Sequence, residues 1–337
     1  MMIRRVVITR HGGPEVLQVV QEPVPEPAPG SVRVRVLVTG VSFADILMRH
    51  GLYPGTPPLP FAPGYDIVGV VDKLGPGVAG LQPGQRVAAL TVYGGYAEVI
   101  CLPADRLIPV PEGVDPAEAV SLVLNYVTAY QMLHRVARVK AGDRVLIHGA
   151  AGGAGTALLQ LGRLAGLTMY GTASAAKHPL VAALGGIPID YRREDFVARV
   201  RSLSGDGVDA VFDPIGGANF WRSYRTLRPG GRLVAYGMSA ALEQGRKKLA
   251  AGALGYGLLG LCMLLPGRKA GFYDITGVYK DQPGWFREDL TSLFGLLAEK
   301  QIQPVIAERL PLAEAARAQE LVSRAAVSGK VVLVCSQ

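Results

Sequence analysis

Cysteine and histidine are scarce in this chain of 337 residues, which has three of the first and five of the second. The cysteines lie far apart, at positions 101, 262 and 335, and form no C-x-x-C pair. The sequence therefore predicts neither a disulfide framework nor a thiolate zinc site. The histidines show no metal-ligand spacing and are interpreted as structural or surface residues. Unpaired cysteines fit a reducing compartment, so we expect a cytoplasmic protein.

The chain also lacks low-complexity linkers and internal repeats, and its N-terminus leads into an expected strand instead of a signal peptide. The formal net charge is +8. Its basic residues are scattered among acids, however, which argues against nucleic acid as the partner. A modest positive field instead favours small anions such as a dinucleotide.

One long apolar stretch, residues 249–265, is free of charge, and basic residues at 246–248 and 268–269 flank it. Its length is at the short limit for a membrane span, and several glycines interrupt it. We expect a buried or interface helix, or an apolar lid over the substrate site. A contact with a membrane surface is the alternative.

The most informative pattern that is present covers residues 145–166, where a short apolar strand, a glycine-rich turn and an amphipathic helix follow one another. Gly149, Gly152, Gly153 and Gly155 leave backbone N–H groups accessible at the helix N-terminus, where the helix dipole favours a pyrophosphate. This pattern is typical of the phosphate-binding turn of a dinucleotide-binding fold.

The pattern of predicted secondary structure changes near residue 121. Short strands separated by Pro/Gly turns come before it, at 4–10, 32–38, 66–74, 86–90 and 98–102, and predict a barrel-like β domain. Strands at 144–148, 168–172, 187–190, 208–212 and 232–236 follow it and alternate with helices, the first of them at 125–136. This alternation predicts a doubly wound parallel sheet. A further strand is expected at 272–279, and the tail holds two helices and two strands.

Several stretches carry a family resemblance over essentially the full length: 40–45 (GVSFAD), 51–54 (GLYP), 63–66 (PGYD), 94–98 (GGYAE), 124–130 (LNYVTAY) and the glycine turn. Together they resemble the medium-chain dehydrogenase/reductase superfamily and its zinc-free, zeta-crystallin-like quinone oxidoreductase group. The resemblance implies an α/β protein with a GroES-like domain (1–120), a Rossmann domain (121–283) and a tail returning to the first domain (284–337). It also implies a homodimer formed through the edge of the Rossmann sheet.

The departures from zinc-dependent relatives concern the metal. Those relatives place a cysteine where this chain has Ser42 and a His-Glu pair where it has Tyr65 and Asp66, and they carry a four-cysteine lobe that is missing here. Zinc requires thiolate and imidazole ligands in tetrahedral array, so no zinc and no other metal is expected.

The choice of nicotinamide cofactor depends on the end of the second Rossmann strand, where an NAD site usually has an acid. No acid occurs at 170–178, whereas Ser174 and Lys177 suit a 2′-phosphate. The resemblance adds Tyr191 as a phosphate contact, with Arg192 beside it. We expect NADPH, and the alternative for Lys177 is a solvated lysine at a helix start.

The resemblance also places Ser42, Asp45 and Tyr53 as the catalytic candidates, with Tyr53 polarising the substrate oxygen. Asp45 is equally open to a structural role in a turn. The expected cofactor contacts are Asn125, Thr128, Gly152, Gly153, Ala154, Gly155, Ser174, Lys177, Tyr191, Gly237, Met238 and Ser239. The segment 213–216 is either a further cofactor loop or a tight turn.

These residues lead to the hypothesis of a zinc-independent, NADPH-dependent oxidoreductase that reduces quinones or related conjugated carbonyls by hydride transfer. Reduction of an enone or enoyl thioester is the close alternative, because Tyr53 would then deliver a proton. A low-turnover NADPH-binding sensor or interaction protein is the alternative from another class.

Overall fold

The computed structural model describes residues 1–243 and 248–335. Its strands β1 to β15 are, in chain order, Met2–Ile8, Leu17–Pro23, Ser31–Val41, Asp66–Leu74, Arg86–Leu90, Val99–Pro103, Ile108–Pro109, Arg144–Ile147, Thr168–Ala173, Gly186–Asp190, Val208–Asp213, Leu227–Ala235, Lys269–Phe272, Ile306–Pro311 and Lys330–Val334. Its helices α1 to α12 are Phe43–Arg49, Pro116–Ser121, Val127–Tyr130, Gly153–Leu164, His178–Ala183, Phe196–Ser204, Asn219–Thr226, Ala240–Glu243, Lys248–Leu264, Ile275–Asp281, Pro283–Ala298 and Ala315–Ser323. Two π-helical segments, Leu122–Tyr126 and Gln131–Ala137, flank α3.

The first compact unit contains residues 1–127 and 287–337. Its main sheet has the order β14-β15-β3-β4-β5-β7, and β6 also pairs with β3. Along β3, Val32, Val34 and Val36 are fully buried while the intervening arginines are not. This alternation places one face of β3 in the hydrophobic core, as expected for an antiparallel sheet with one covered face.

A buried ion pair connects the C-terminal strand to the rest of this unit. β15 pairs antiparallel with β3, and Lys330 at its start donates from Nζ to Asp66 Oδ2 at 2.8 Å. Both side chains are buried, with 4% and 0% of their surface exposed. Gly40 lies against this pair, because a Cβ at position 40 would come within 2.3 Å of Asp66 Oδ1 and 2.4 Å of Lys330 Nζ.

The second compact unit contains residues 128–286 and has a six-stranded sheet. Its order is β10-β9-β8-β11-β12-β13, and every pairing is parallel. Counted from β8, this is the order 3-2-1-4-5-6 of a doubly wound dinucleotide-binding sheet, whose topological switch point lies between β8 and β11. The predicted α/β fold class, with a parallel sheet and a separate β domain, is confirmed.

One local prediction in this part of the chain is wrong. The strand expected at 272–279 ends at Phe272, because the Asp274 side chain accepts from the N–H groups of Thr276 and Gly277 and starts α10. The helix expected at 125–136 is present as part of a helical segment over 122–137, in which the two π-helical segments flank α3.

The uncharged stretch forms α9, and its described side chains divide between core and surface. Leu259 and Cys262 join the core of the second unit, whereas Tyr256, Met263 and Leu264 are exposed by 52%, 58% and 84%. Within the ranges 1–243 and 248–335, no helix is long and apolar enough to cross a membrane. Of the basic residues that precede the stretch, Arg246 and Lys247 lie outside the described residues.

The first unit should depend strongly on the Lys330–Asp66 pair. We expect Lys330→Met to lower the free energy of unfolding by about 3 kcal/mol, because it leaves a buried carboxylate without its cation. The double variant Lys330→Met/Asp66→Asn should regain part of the loss. Denaturant titration at pH 7 measures both, and a Lys330→Met variant as stable as wild type would contradict this account.

Candidate active site

The glycine turn of the second unit folds tightly onto the start of α4. Gly149 has a positive φ of 62°, and a Cβ at Gly155 would come within 2.3 Å of the Gly149 carbonyl oxygen. Gly152 caps α4 without any side-chain hydrogen bond, so no side chain competes for the first N–H groups of the helix. Gly152, Gly153 and Ala154 are all partly exposed. The turn therefore presents backbone donors and the positive end of a 12-residue helix to an anion.

The carboxyl end of β9 carries a hydroxyl and a cation. Ser174 follows directly after β9 and caps the 3-10 turn Ala175–Lys177, and both Ser174 and Lys177 are partly buried. Burial, and then the nearby charge of Arg192, lower the pKa of Lys177. Two cationic side chains are thus close enough to influence each other at this end of the sheet. An anion that sat between them would relieve their repulsion.

Tyr191 and Arg192 follow β10 on the neighbouring strand end. Half of the Tyr191 side chain is exposed, and the Arg192 guanidinium lies 5.8 Å from the centre of its ring. Of the acids here, Glu194 accepts from the Asp190 N–H at 3.0 Å and pairs with Arg199. Asp190 accepts from the N–H of Arg192 and lies 3.9 Å from the Arg193 guanidinium. Its carboxylate is therefore engaged within its own turn.

The loops after β11 and β12 contact each other. Ser239 N–H donates to the Pro214 carbonyl at 3.0 Å, and a Cβ at Gly237 would come within 2.8 Å of the same oxygen. The Asp213 carboxylate accepts from the N–H groups of Ile215 and Gly216. It also accepts from the side chains of Asn219 and Ser223. These bonds fit the tight-turn interpretation of 213–216.

Of the nicotinamide-side candidates, Asn125 belongs to the first unit and Thr128 to the second. Thr128 is 7% exposed. Asn125 Oδ1 is buried and has no hydrogen-bond partner among the described residues. A buried acceptor without a donor is costly, so a ligand that donates an amide N–H would fit this oxygen.

Ser42 and Asp45 form a buried capping box at the start of α1. Asp45 Oδ2 accepts from the backbone N–H and the hydroxyl of Ser42, at 2.8 and 2.7 Å. Asp45 Oδ1 accepts from Gly64 N–H at 2.9 Å, which fixes the 63–66 segment. Burial raises the pKa of Asp45 from 3.8 to about 6, although these hydrogen bonds lower it. The contacts fit the structural role left open for Asp45.

Tyr53 and Tyr65 meet through their hydroxyl groups. The two Oη atoms are 2.6 Å apart, and the rings are edge to face with centroids 6.1 Å apart. Tyr53 is partly exposed, whereas Tyr65 is 1% exposed. In the sequence, Tyr65 is notable only as the replacement of a zinc ligand, and nothing there predicts this pair. The contact joins residues 12 positions apart, and no local pattern signals it.

The positions of the zinc ligands in zinc-dependent relatives are occupied by other interactions. Ser42 bonds to Asp45, Tyr65 to Tyr53, and Asp66 to Lys330. In the part of the chain that the structure describes, no group of three or more His, Cys, Asp or Glu side chains could hold a metal ion.

The buried Asp45 should make stability depend on pH. Its folded pKa of about 6 exceeds the ordinary 3.8, so the folded chain binds more protons between these values. Stability from this group therefore increases as the pH falls through 6, by about 1 kcal/mol between pH 7.5 and 5. Asp45→Asn lacks this titration. The free energy of unfolding of wild type should therefore rise by about 1 kcal/mol relative to the variant when the pH falls from 7.5 to 5. Denaturant titration at both pH values measures it.

Asp105→Asn provides the control, because Asp105 is an exposed carboxylate of the same unit. It should follow the pH dependence of wild type. Parallel pH curves for wild type and Asp45→Asn would contradict the assignment.

Comparisons with known proteins agree with this architecture. Residues 28–112 match the alcohol dehydrogenase GroES-like domain, and residues 186–333 match the zinc-binding dehydrogenase family. The synaptic vesicle membrane protein VAT-1 homolog of Rattus norvegicus is 36% identical over 341 residues, covering 98% of this chain and 84% of the relative. Quinone oxidoreductase of the same organism is 30% identical over 342 residues, covering 99% and 98%.

Among solved structures, Escherichia coli quinone oxidoreductase complexed with NADPH superposes with a TM-score of 0.88 and 30% identity, covering 98% of this chain and 99% of that one. The relatives align over nearly the whole length, and both domain families match in the expected order. This chain therefore belongs to the medium-chain dehydrogenase/reductase superfamily, as an oxidoreductase of its quinone-oxidoreductase-like group.

Proposed function

We propose that this chain is an NADPH-dependent oxidoreductase that reduces quinones or related conjugated carbonyls by hydride transfer without zinc. One observation carries the proposal. The strand end that would face the adenosine ribose has a hydroxyl and two neighbouring cations, Ser174, Lys177 and Arg192, and it has no free acid. Such a site fits a 2′-phosphate, because the cations attract its negative charge and no free carboxylate repels it.

The residues of the second unit would hold the cofactor. Backbone N–H groups at Gly152, Gly153, Ala154 and Gly155 would bind the pyrophosphate, and Tyr191 would flank the 2′-phosphate with Lys177. Gly237, Met238 and Ser239 follow β12, and with Thr128 they would contact the nicotinamide end. The orphaned Oδ1 of Asn125 suits the nicotinamide carboxamide. The NADPH in the Escherichia coli relative supports this cofactor.

When bound, the cofactor supplies the hydride, so this chain's residues need only to orient the substrate and manage one proton. Tyr53, with its partly exposed phenol, would donate a hydrogen bond to the substrate oxygen. Asp45 is fully buried and Ser42 is 7% exposed, so both would act by positioning the 63–66 segment. Reduction of an enone or enoyl thioester depends more on Tyr53 than quinone reduction does, because a full proton transfer accompanies it.

The absorbance at 340 nm of NADPH, and separately of NADH, tests the proposal with chelator-dialysed protein. The acceptors are an ortho-quinone, a para-quinone, an enone and an enoyl thioester. We expect NADPH-selective oxidation with a quinone. NADPH binding without oxidation by any acceptor would favour the sensor or interaction protein, and activity that requires added zinc would refute the zinc-free mechanism.

Lys177→Gln should raise the KM for NADPH by about tenfold, because it removes an ion pair with the phosphate. The KM for NADH should stay within twofold of wild type. Lys140→Gln is the matched control, since Lys140 is an exposed lysine at the opposite, amino end of β8. If Lys177→Gln raised the KM for NADPH and the KM for NADH equally, Lys177 would be a solvated lysine at a helix start and not a phosphate ligand.

We further propose a homodimer formed through β13 and α9. Among the described residues β13 is an edge strand of the sheet, and Phe272 on it is 44% exposed. An edge strand offers backbone groups along one side to another strand. Leu254, Tyr256, Met263 and Leu264 add exposed apolar surface on the helix that precedes β13. A second copy would bury this surface and complete the edge, which is the arrangement that the family resemblance implies.

Light scattering after size exclusion should give twice the chain mass of 35.6 kDa. Leu264→Glu should shift the protein to monomer, because it places a charge in the apolar contact. Leu203→Glu, at another exposed leucine of the same unit, should remain dimeric. A monomeric wild type would refute the homodimer, and liposome co-sedimentation would then test the membrane-surface alternative.

A further inference from the structure

The hydroxyl of Tyr65 is a polar group at the candidate site that the proposed function leaves unused. Tyr65 lies immediately before β4, and only 1% of its side chain is exposed. Its Oη is 2.6 Å from Tyr53 Oη, at the short end of the range for hydrogen bonds between hydroxyl groups. Either oxygen can be the donor.

The backbone around Tyr65 is fixed from several directions. The Tyr65 carbonyl accepts from the N–H groups of Thr91 and Val92, at 2.9 and 3.1 Å. On one side, Gly64 is held by Asp45 Oδ1 through its N–H and by the Thr91 hydroxyl through its carbonyl. On the other side, Asp66 pairs with Lys330. The phenol of Tyr65 is therefore placed by buried contacts.

Tyr53 is the more accessible member of the pair. It is partly exposed, and it lies outside the regular elements between α1 and β4. The pair thus consists of one phenol that can reach a substrate and one that is buried behind it. The edge-to-face packing of the rings, with an interplanar angle of 85°, keeps the two hydroxyl groups together.

We propose that Tyr65 is a positioning residue that donates a hydrogen bond from its phenol to Tyr53 Oη and so directs the Tyr53 proton to the substrate. This inference rests on the proposed function, in which Tyr53 is the donor. A hydrogen bond to an oxygen that develops negative charge becomes shorter and stronger, so Tyr65 stabilises Tyr53 as Tyr53 gives up its proton.

The proposed step transfers one hydride and one proton to the substrate. The conjugated substrate gains a hydride from the cofactor, which is oxidised, and its oxygen gains the proton that leaves Tyr53 Oη. Tyr65 keeps its own proton throughout and donates it to the Tyr53 oxygen as a hydrogen bond. Water then returns a proton to Tyr53, and the pair is restored.

The experiment compares wild type, Tyr65→Phe, Tyr53→Phe and the double variant in steady-state reduction of an enone by NADPH. Tyr65→Phe should lower kcat about tenfold, with an unchanged KM for NADPH, because it removes one hydrogen bond to a charged oxygen. The high-pH limb of the kcat profile of Tyr65→Phe should move to higher pH, because the Tyr53 phenolate loses the hydrogen bond from Tyr65. The double variant should match Tyr53→Phe within about twofold, since Tyr65 acts only through Tyr53.

Tyr170→Phe is the matched control. This substitution also removes a hydroxyl from a buried tyrosine, and that hydroxyl donates to the carbonyl of Leu203 in the second unit. It should retain the wild-type kcat and pH profile. Thermal unfolding of all variants detects a general loss of structure.

Three results would overturn the inference. If Tyr65→Phe has the kcat of wild type, Tyr65 has no role in the reaction. If its pH profile is unchanged and its midpoint of thermal unfolding is lower, the role of Tyr65 is merely structural. If Tyr65→Phe lowers kcat by the same factor in wild type and in Tyr53→Phe, Tyr65 acts independently of Tyr53. These three leave the proposed function standing, whereas full enone activity in Tyr53→Phe would refute the role of Tyr53 itself.

Discussion

The buried carboxylate of Asp66, held by the ammonium of Lys330, is the constraint on which the first unit depends. Buried charges must be paired, so β15 has to lie beside β3 for the Asp66 carboxylate to keep its cation. Burial raises the pKa of Asp66, although Lys330 lowers it. The 63–66 segment lies between this pair and Asp45. The position of Tyr65, and through it that of Tyr53, thus depends on residues at both ends of the chain.

The sequence predicts the fold well wherever a pattern is local. β4 and β5 have the predicted bounds because alternating apolar residues end at glycine and proline turns. The parallel sheet follows from strands and helices that alternate at short spacing, and the glycine turn before α4 identifies its switch point. The segment after Phe272 departs from prediction because one capping side chain, Asp274, outweighs the β-forming residues around it.

The site is less predictable because its contacts join distant positions. Ser174 and Lys177 could be recognised, since their chemistry is local to one strand end. The partner of Tyr53, by contrast, lies 12 residues away at the far end of the same connection between α1 and β4, and that of Asp66 lies 264 residues away. A single sequence shows neither pairing. It also leaves two roles open for Asp45, and only the three hydrogen bonds to its carboxylate show how it holds the turn.

Gly40 limits which substitutions the two distant members of the ion pair can accept. A side chain there would overlap both Asp66 and Lys330, so a mutation at position 40 becomes tolerable only after the ion pair has been lost or rebuilt. The three positions should therefore change together across related sequences, or not at all. A lineage that replaces only the lysine would still have Asp66 Oδ1 within 2.3 Å of a Cβ at position 40, so a side chain fits there only after both members of the pair have changed.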